Sequence, residues 1–327
     1  MSPSPAAEKH NDARLRLAAA ASRAARSIWL RTDRDNLLSS WTGLLAGVLA
    51  LVAASQLTAA QQSEPWLEQL LGDDADRAQD DRLDPASLVG VDGTGRPLAG
   101  VLMAPVWSAL RLVTAGAPMV QAMARGQLLL DAIVRTAIAD TGRAADSVAM
   151  ISRPAITSYI RVVEGGACSR CLILAGREYG VSTAFARHPR CHCGMEPVTR
   201  THRPTAQDPK RVFEEMSEQQ RRRVFGEAGA RAIAEGADPA QVVNARRGMT
   251  SATVEGQRLR ATTEGTVRGE FRRQEFRRLQ GEGVIPRSQS IRGFRPERPR
   301  LMPEEIFRIA DDRAHALRLL RLHGYLY

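Results

Sequence analysis

Residues Gly165–Val198 read GGACSRCLILAGREYGVSTAFARHPRCHCGMEPV, and this stretch decides how the rest of the chain is interpreted. It contains all four cysteines, first as the C-x-x-C pair Cys168 and Cys171 and then, after a sixteen-residue loop, as the H-P-x-C-x-C run from His188 to Cys193. A C-x-x-C turn directs two sulfur atoms at one point, and the loop can bring a second pair of ligands back to it. The spacing therefore predicts a tetrahedral zinc site.

Five side chains are candidate ligands where four are required: Cys168, Cys171, His188, Cys191 and Cys193. The four thiolates form one possible set, and in another set His188 replaces one of the last two cysteines. His192 alternates with these cysteines and is expected to point away. Two disulfides, buried free thiols and a redox C-x-x-C are the alternatives. Disulfides are disfavoured because a chain of 327 residues does not need covalent cross-links for stability and no secretory signal is recognised.

The same stretch resembles a family signature. The C-x-x-C pair is followed by L-A-G-R-E-Y at Leu174–Tyr179, by H-P-x-C-x-C, and by Glu196-Pro197-Val198. In order and spacing these motifs resemble the phage Mu F-like minor head proteins, also called head morphogenesis proteins, in the form found in phages of actinobacteria. The resemblance spans residues 162–248, and it implies a low-copy structural protein of the capsid interior or portal vertex that is needed for head assembly.

The resemblance also implies partners, a location and the absence of catalytic residues. The partners would be the portal protein and the major capsid or scaffold protein. The location would be the virion, and the host cytoplasm during assembly. It implies no known catalytic residues, so the chain is not expected to be an enzyme.

Composition favours a helical protein with anionic partners. Hydrophobic residues make up 43% of the chain, enough for a core, whereas aromatic residues make up only 5%. Alanine and leucine dominate, which favours helices over sheets. The formal net charge of +10 is carried almost wholly by arginine, since Lys9 and Lys210 are the only lysines. A basic balance favours packaged double-stranded DNA or an acidic protein surface as a partner.

Residues 1–154 are predicted to form a helical N-terminal domain that faces the portal or the capsid. A helix is expected within Met1–Arg31, and the uncharged segment Asn36–Ser63 is a candidate membrane span. Its strongly apolar part, Trp41–Ala54, has fourteen residues, short of the roughly 20 that a bilayer needs. We therefore expect a buried or oligomer-facing helix and no membrane. Glu64–Asp84 has eight acidic and two basic residues, which predicts an exposed linker.

The centre of the chain is predicted to deliver the cysteines. Val91–Gly100 indicates a loop or hairpin, and helices are expected over 106–115 and 118–152. Ser158–Glu164 contains β-branched and aromatic residues and predicts a short strand before the first cysteine pair. Residues 155–248 would then form the Mu F-like domain, a small α+β region in which a zinc knuckle substitutes for a large core.

The C-terminal part is predicted to be a basic arm over 249–302 and an amphipathic helix over 303–327. Residues 251–300 contain twelve arginines and six glutamates, a surplus of +6, and prolines interrupt them. We expect an extended arginine-rich arm that orders on a partner. The expected contacts to nucleic acid or a partner are Arg246, Arg247, Arg272, Arg273, Arg277 and Arg278.

Three functions follow from these observations: a structural phage head protein, a zinc-dependent nucleic-acid-binding protein, and a zinc enzyme. The spacing of the cysteine cluster differs from that of a two-Cys, two-His finger, which weakens the second. The third would need an open metal position and a general base such as Glu178 or Glu196, yet thiolate-rich sites are usually closed. The fold expected in every case is mainly α, with a small α+β zinc-knuckle-like region.

Overall fold

A computed structural model describes residues 3–77, 81–163, 166–254, 257–266 and 269–326. Asp80 of the acidic stretch, Glu164 and Gly165 before the cysteines, and the terminal Tyr327 lie outside the described residues. The chain divides into two compact units, residues 1–167 with 175–207, and residues 168–174 with 208–327. The division into four functional segments that was predicted from the sequence stays a prediction.

The first unit is built on long helices and one small sheet. Its described helices and strands are α1 Pro5–Trp29, α2 Leu37–Gln61, α3 Ser63–Leu71, α4 Leu98–Val101, α5 Ala104–Thr114, α6 Met119–Ile151, β1 Ser158–Val163, β2 Glu178–Gly180 and β3 Cys193–Val198. The prediction of a mainly helical chain is therefore confirmed. The helices expected in residues 1–31, 36–63, 106–115 and 118–152 are all present.

Helices α1, α2, α5 and α6 share one hydrophobic core. The chain enters α1 through Ser4, whose hydroxyl accepts a hydrogen bond from the Ala7 N–H, with Pro5 in the first turn. Small residues on α1 allow close packing, and Trp29 at its end meets Trp41 of α2 edge to face at 4.9 Å. Both indoles are fully buried, and burying one large apolar side chain contributes about 1.5–3 kcal/mol.

Helix α2 lies within the uncharged apolar segment of residues 36–63. By length and composition alone, Leu37–Ala75 is the one helical stretch among the described residues that is able to cross a membrane. One face of α2 packs in the core, where Val48 and Val52 are fully buried. The Gln56 side chain, also fully buried, donates to the Val91 carbonyl and to Thr141 Oγ1. The prediction of a buried or oligomer-facing helix is met on this face only, since 22% of the eighteen-residue apolar window is buried, and the expectation of no membrane stays a prediction.

The acidic stretch is the predicted exposed linker only in part: Asp81, Arg82 and Asp84 are exposed and lie outside helices and strands. Its first part forms α3, and Glu64 accepts hydrogen bonds from Arg77 and from the buried Arg153. The linker prediction is wrong for this first part because Glu64 also pairs with a cation outside the stretch. That cation, Arg153, follows the end of α6 and lies 89 residues from Glu64 in sequence.

The small sheet has the strand order β2-β1-β3, and both pairings are antiparallel. Strand β1 confirms the strand predicted before the cysteines. It pairs with β3 from Ser158 opposite Val198 to Val163 opposite Cys193. The last cysteine therefore sits at the start of β3, beside the end of β1 from which the chain continues to the first cysteine pair.

The second unit has short helices and a second three-stranded sheet. Its described elements are α7 Ser169–Leu172, α8 Pro209–Glu215, α9 Glu218–Phe225, α10 Glu227–Ala234, α11 Pro239–Ala245, β4 Met249–Val254, β5 Gln257–Thr262, α12 Glu270–Gly281, β6 Arg300–Leu301, α13 Pro303–Ile309 and α14 Arg313–Leu322. The predicted capping box is present, because Ser217 Oγ accepts from the Gln220 N–H and Gln220 Oε1 accepts from the Ser217 N–H. Asp238 caps α11, as expected.

The extended basic arm predicted for 249–302 is wrong for much of its length. Strands β4, β5 and β6 form an antiparallel sheet, and α12 follows β5. The apolar residues between the arginines make this possible: Leu259, Ala261, Phe271, Phe276 and Leu301 are buried. The excess of arginine over these apolar residues favoured an arm in the sequence. In the structure, the alternate residues Leu259 and Ala261 of β5 are buried, as is typical of a strand.

The C-terminal amphipathic helix predicted for 303–327 is two helices. Pro303 begins α13 as expected, but the chain is extended at Ala310, and Asp312 then caps α14 by accepting from the His315 N–H. The predicted buried face is present, with Leu320 fully buried, and the Tyr325 hydroxyl beyond it donates to the Leu301 carbonyl at 3.0 Å.

Candidate metal centre

The four cysteines are free thiols, and three of them are buried. Cys168 is exposed and precedes α7, Cys171 lies within α7, and Cys191 and Cys193 lie at the approach to and the start of β3. The disulfide alternative is therefore not realised. The remaining alternatives are a metal site, buried free thiols and a redox C-x-x-C.

The structure brings the predicted ligands together in two groups that share Cys171. One group is Cys168, Cys171 and His188, and the other is Cys171, Cys191 and Cys193. Within each group the candidate ligand atoms all lie within 4.8 Å of one another. His192 belongs to neither group, which agrees with the expectation that it points away, and its burial lowers the pKa of its ring below the ordinary value.

One distance can be compared directly with zinc geometry. The sulfur atoms of Cys168 and Cys171 are 3.7 Å apart. Zinc–sulfur bonds of about 2.3 Å at tetrahedral angles place two thiolates about 3.8 Å apart. The C-x-x-C pair thus has the separation that one tetrahedral ion requires, and the cluster of Cys171, Cys191, Cys193 and His188 can bind a metal ion.

The backbone conformation and close packing at Gly176 explain why the L-A-G-R-E-Y motif has a glycine there. Gly176 has φ 70°, in the left-handed region, and a Cβ atom there would meet the main-chain oxygen of Gln207 at 2.3 Å. Its N–H donates to the Arg161 carbonyl in β1 at 2.9 Å. The chain can return to the sheet after α7 only if this residue has no side chain.

The main chain of the second cysteine pair is held by buried polar side chains from two helices. Arg143 of α6 donates from Nη1 to the carbonyls of Cys191 and Cys193, at 3.2 and 3.1 Å. Asn11 of α1 donates from Nδ2 to the carbonyl of His192, between them, at 3.0 Å. Three consecutive carbonyl groups are thereby satisfied, and the positions of both cysteines are set by helices distant in sequence.

Arg161 of β1 contacts one candidate ligand directly. Its Nη2 lies 3.2 Å from Cys193 Sγ, and its guanidinium stacks over the Phe185 ring at 4.3 Å. Arg161 is 2% exposed, and Cys193 is fully buried. A buried guanidinium at this distance stabilises negative charge on the sulfur, and it offsets part of the charge of a thiolate-rich metal site.

Arg190, next to Cys191, is anchored on α6. It is the one non-glycine residue among those described with a positive φ, 60°. Its N–H donates to Thr136 Oγ1 at 3.0 Å, and its guanidinium donates to the Leu128 carbonyl at 3.0 Å. These hydrogen bonds hold a backbone conformation that costs about 1–3 kcal/mol, and they fix the turn that presents Cys191.

A buried ionic network behind the site was not predicted from the sequence. Asp146 of α6 accepts hydrogen bonds from Arg14 Nη1 at 2.6 Å, Ser63 Oγ at 2.7 Å and the His10 ring at 2.9 Å. Burial tends to raise the pKa of Asp146, but the charges of His10 and Arg14 outweigh it and lower the pKa. Gly142 belongs to the same arrangement, since a Cβ there would meet the Arg14 side chain at 2.5 Å.

A sequence signal for these residues exists but is weak. Arg14, Arg143, Asp146 and Arg161 lie on or beside apolar or alanine-rich stretches, where a charged side chain departs from the pattern. An out-of-pattern charge indicates either a buried pair or an exposed position, and only the partner, distant in sequence, distinguishes the two.

The arginines predicted as partner or nucleic-acid contacts differ in their surroundings. Arg246 donates to the Phe225 carbonyl and pairs with Glu304. Arg278 pairs with Glu275 and Glu282, which raises the pKa of its guanidinium. Both therefore have structural roles within the unit.

Four members of the predicted set remain. Arg272 and Arg277 are exposed, and Arg272 donates to the Ile291 carbonyl at 2.7 Å. Arg247 is 3.9 Å from Glu264, and Arg273 is half-buried. The role of all six as contacts stays a prediction.

The two glutamates considered as general bases are engaged in local contacts. Glu178 accepts a hydrogen bond from Ser158. Glu196 is fully buried in β3, where it accepts from the Ser4 N–H at 3.2 Å and lies 3.3 Å from the His202 ring. In this arrangement both carboxylates connect parts of the fold.

Comparison with known proteins identifies a family for this chain. The model of a family described as VG15 protein, a viral and phage gene family, matches residues 1–219. The matched region contains α1, α6, the whole of the first unit and all the candidate ligands. No curated protein and no solved structure matches the chain. Since the match covers about two thirds of the 327 residues, the chain belongs to the VG15 protein family, which indicates a phage protein.

Proposed function

We propose that this chain is a structural, non-catalytic minor capsid protein of a phage, acting in head morphogenesis. It would be present in few copies at the portal vertex or in the capsid interior. The observation that carries the proposal is the Mu F-like signature itself: its cysteines and His188 form two candidate ligand groups that share Cys171. The family match to a viral and phage gene family supports the same class of protein.

The metal in this proposal is a structural zinc ion. Thiolates with an optional imidazole are the ligands that zinc prefers, and sites rich in thiolate are usually closed. The ion would take the place of a core in this short segment, where few apolar residues are available. The contacts of Arg143, Asn11 and Arg161 support a fixed structural site, because each satisfies the main chain or a sulfur atom.

The proposed partners are the portal protein and the major capsid or scaffold protein, with packaged double-stranded DNA as a third contact. The net charge of +10 supports an anionic partner. The proposed location is the virion after assembly and the host cytoplasm before it.

Quantitative mass spectrometry of purified particles and proheads tests the proposal, with the portal protein as the internal reference for copy number. A few copies per particle are expected in both. The outcome that would remove the head-protein function is absence of the chain from proheads and virions alike. A zinc-dependent nucleic-acid-binding protein would then be the better assignment, to be examined by sequence-selective binding of DNA.

A further inference from the structure

A cleft of about 290 Å³ in the first unit concentrates positive charge between α1, α6 and the turn that presents Cys191. Its charged lining residues are Arg23, Arg26, Arg135, Arg190 and Asp131. Four positive charges less one negative charge leave a local surplus of +3. Such a surplus in a concave site favours an anionic ligand.

The single carboxylate of the cleft arranges two of the guanidinium groups. Asp131 lies 2.7 Å from Arg135 Nε and 2.6 Å from Arg190 Nη2. Partial burial tends to raise the pKa of Asp131, but hydrogen bonds from Ser22 and Arg135 outweigh it and leave the pKa below the ordinary value. Two arginines are therefore held in place before any ligand arrives, which reduces the entropy lost on binding.

The other two guanidinium groups face solvent. Arg23 and Arg26 are three residues apart on α1, and both are exposed. In the described part of the chain, neither forms an ion pair with a carboxylate. Their charge is thus available to a ligand at the mouth of the cleft, beside the two arginines that Asp131 holds.

We propose that this cleft binds phosphate groups of double-stranded DNA. Arginine presents a planar fork of donors that matches two phosphate oxygens, and a cluster of such forks on one surface suits a backbone that repeats the same charge. The proposal rests on the proposed function only in taking DNA as the source of the phosphate. It assigns DNA contact to α1 and α6, apart from the six arginines predicted from the sequence.

The test uses the full chain with Arg23→Gln and Arg26→Gln together, and a short fluorescent DNA duplex read by anisotropy over a range of salt concentrations. Loss of two phosphate contacts should weaken binding and should reduce the slope of log K against log salt by about 1.8. The matched control is Arg318→Gln with Arg321→Gln, two exposed arginines at the same spacing on α14. The control should keep the slope of the unsubstituted chain.

Several outcomes would overturn the assignment. An unchanged slope in the α1 variant would do so, as would an equal loss in the α14 control. Binding of inorganic phosphate without binding of the duplex would assign the cleft to a free anion. If polyglutamate displaced the duplex as strongly as unlabelled DNA does, the cleft would be assigned to an acidic protein partner. The particle-composition test is separate, so absence of the chain from particles would leave the DNA result standing.

Discussion

Arg161 donates from Nη2 to the sulfur of Cys193 across 3.2 Å, and both side chains are buried. Replacing Arg161 by leucine removes a cation that offsets the charge of the bound thiolates. We expect the affinity for zinc to fall about 10–100-fold, the usual effect of losing an outer partner of a metal ligand.

Competition with a chromophoric zinc chelator measures this affinity. Arg177→Leu is the control, because Arg177 is a nearby exposed arginine that stacks over Tyr179. If both variants bound zinc as tightly as the unsubstituted chain, Arg161 would have no role at the metal.

Cys171 is the residue that both ligand groups share. The unsubstituted chain should contain about one zinc ion, and Cys171→Ser should lose it, with a lower melting temperature. His188→Ala should be the milder change, since His188 belongs to one group only. Metal content is measured by elemental analysis after dialysis, with Ser169→Ala of the same α7 turn as control. Full zinc content in Cys171→Ser would show that Cys171 is not a ligand, and absence of zinc from the unsubstituted chain would show that the cluster is a set of buried thiols.

Arg143 ties α6 to the carbonyls of Cys191 and Cys193 and also pairs with Asp140 at 2.7 Å. Arg143→Gln leaves Asp140 and at least one carbonyl without this donor. Breaking such a buried pair costs about 3–5 kcal/mol. Urea denaturation of the zinc-loaded chain gives the loss, and Arg125→Gln, an exposed position on the same helix, should stay within about 0.5 kcal/mol of the unsubstituted chain. Equal stability of the two variants would contradict the prediction.

Asp146→Asn tests the ionic network beneath the metal centre. The amide keeps the shape of the side chain but leaves the buried Arg14 without its counter-charge, so we expect a loss of about 3–5 kcal/mol. Asp12→Asn on α1 is the matched control, since Asp12 forms an exposed ion pair with Arg16, a kind worth about 0–1 kcal/mol. Thermal melting of both variants at neutral pH makes the comparison, and similar losses would show that the network is not stabilising.

The buried His323 side chain should make the free energy of unfolding depend on pH. Burial and the charges of Arg298 and Arg300 lower the pKa of His323 to about 3 in the folded chain, from an ordinary value of 6.5. Between these two values the unfolded chain binds a proton that the folded chain does not. The contribution of His323 to stability is therefore complete above pH 6.5 and falls as the pH is lowered towards 3. At pH 5 the loss is about 2 kcal/mol.

Replacement of His323 by asparagine isolates this effect. The asparagine oxygen can still accept the hydrogen bond that His323 Nδ1 accepts from the Leu301 N–H. The stability difference between pH 7 and pH 5 should therefore shrink by about 2 kcal/mol. Phe271→Leu, which removes the ring stacked on His323 at 5.7 Å, is the control and should lower stability equally at both pH values. If His323→Asn showed the same pH dependence of stability as the unsubstituted chain, His323 would not be the cause of that dependence.

Local signals predicted the helices well because their causes are local. The capping box at Ser217 and Gln220, the Asp238 cap and the apolar face of α6 each act within a few residues of the element they define. The strand before the cysteines was predicted for the same reason. The sheet found in place of the basic arm was not predicted, because the pairing of β5 with β6 joins Ala261 to Leu301 across forty residues.

The sequence by itself determined the helical class, the strand that leads to the cysteines, and the five candidate metal ligands, since these depend on composition, caps and spacing. Only the tertiary structure decided that Cys171 is common to both ligand groups and that Arg143, Asn11 and Arg161 hold the site. The physical reason is that a buried charge or carbonyl must find its partner wherever the fold brings one, and here the partners lie between 32 and 181 residues apart.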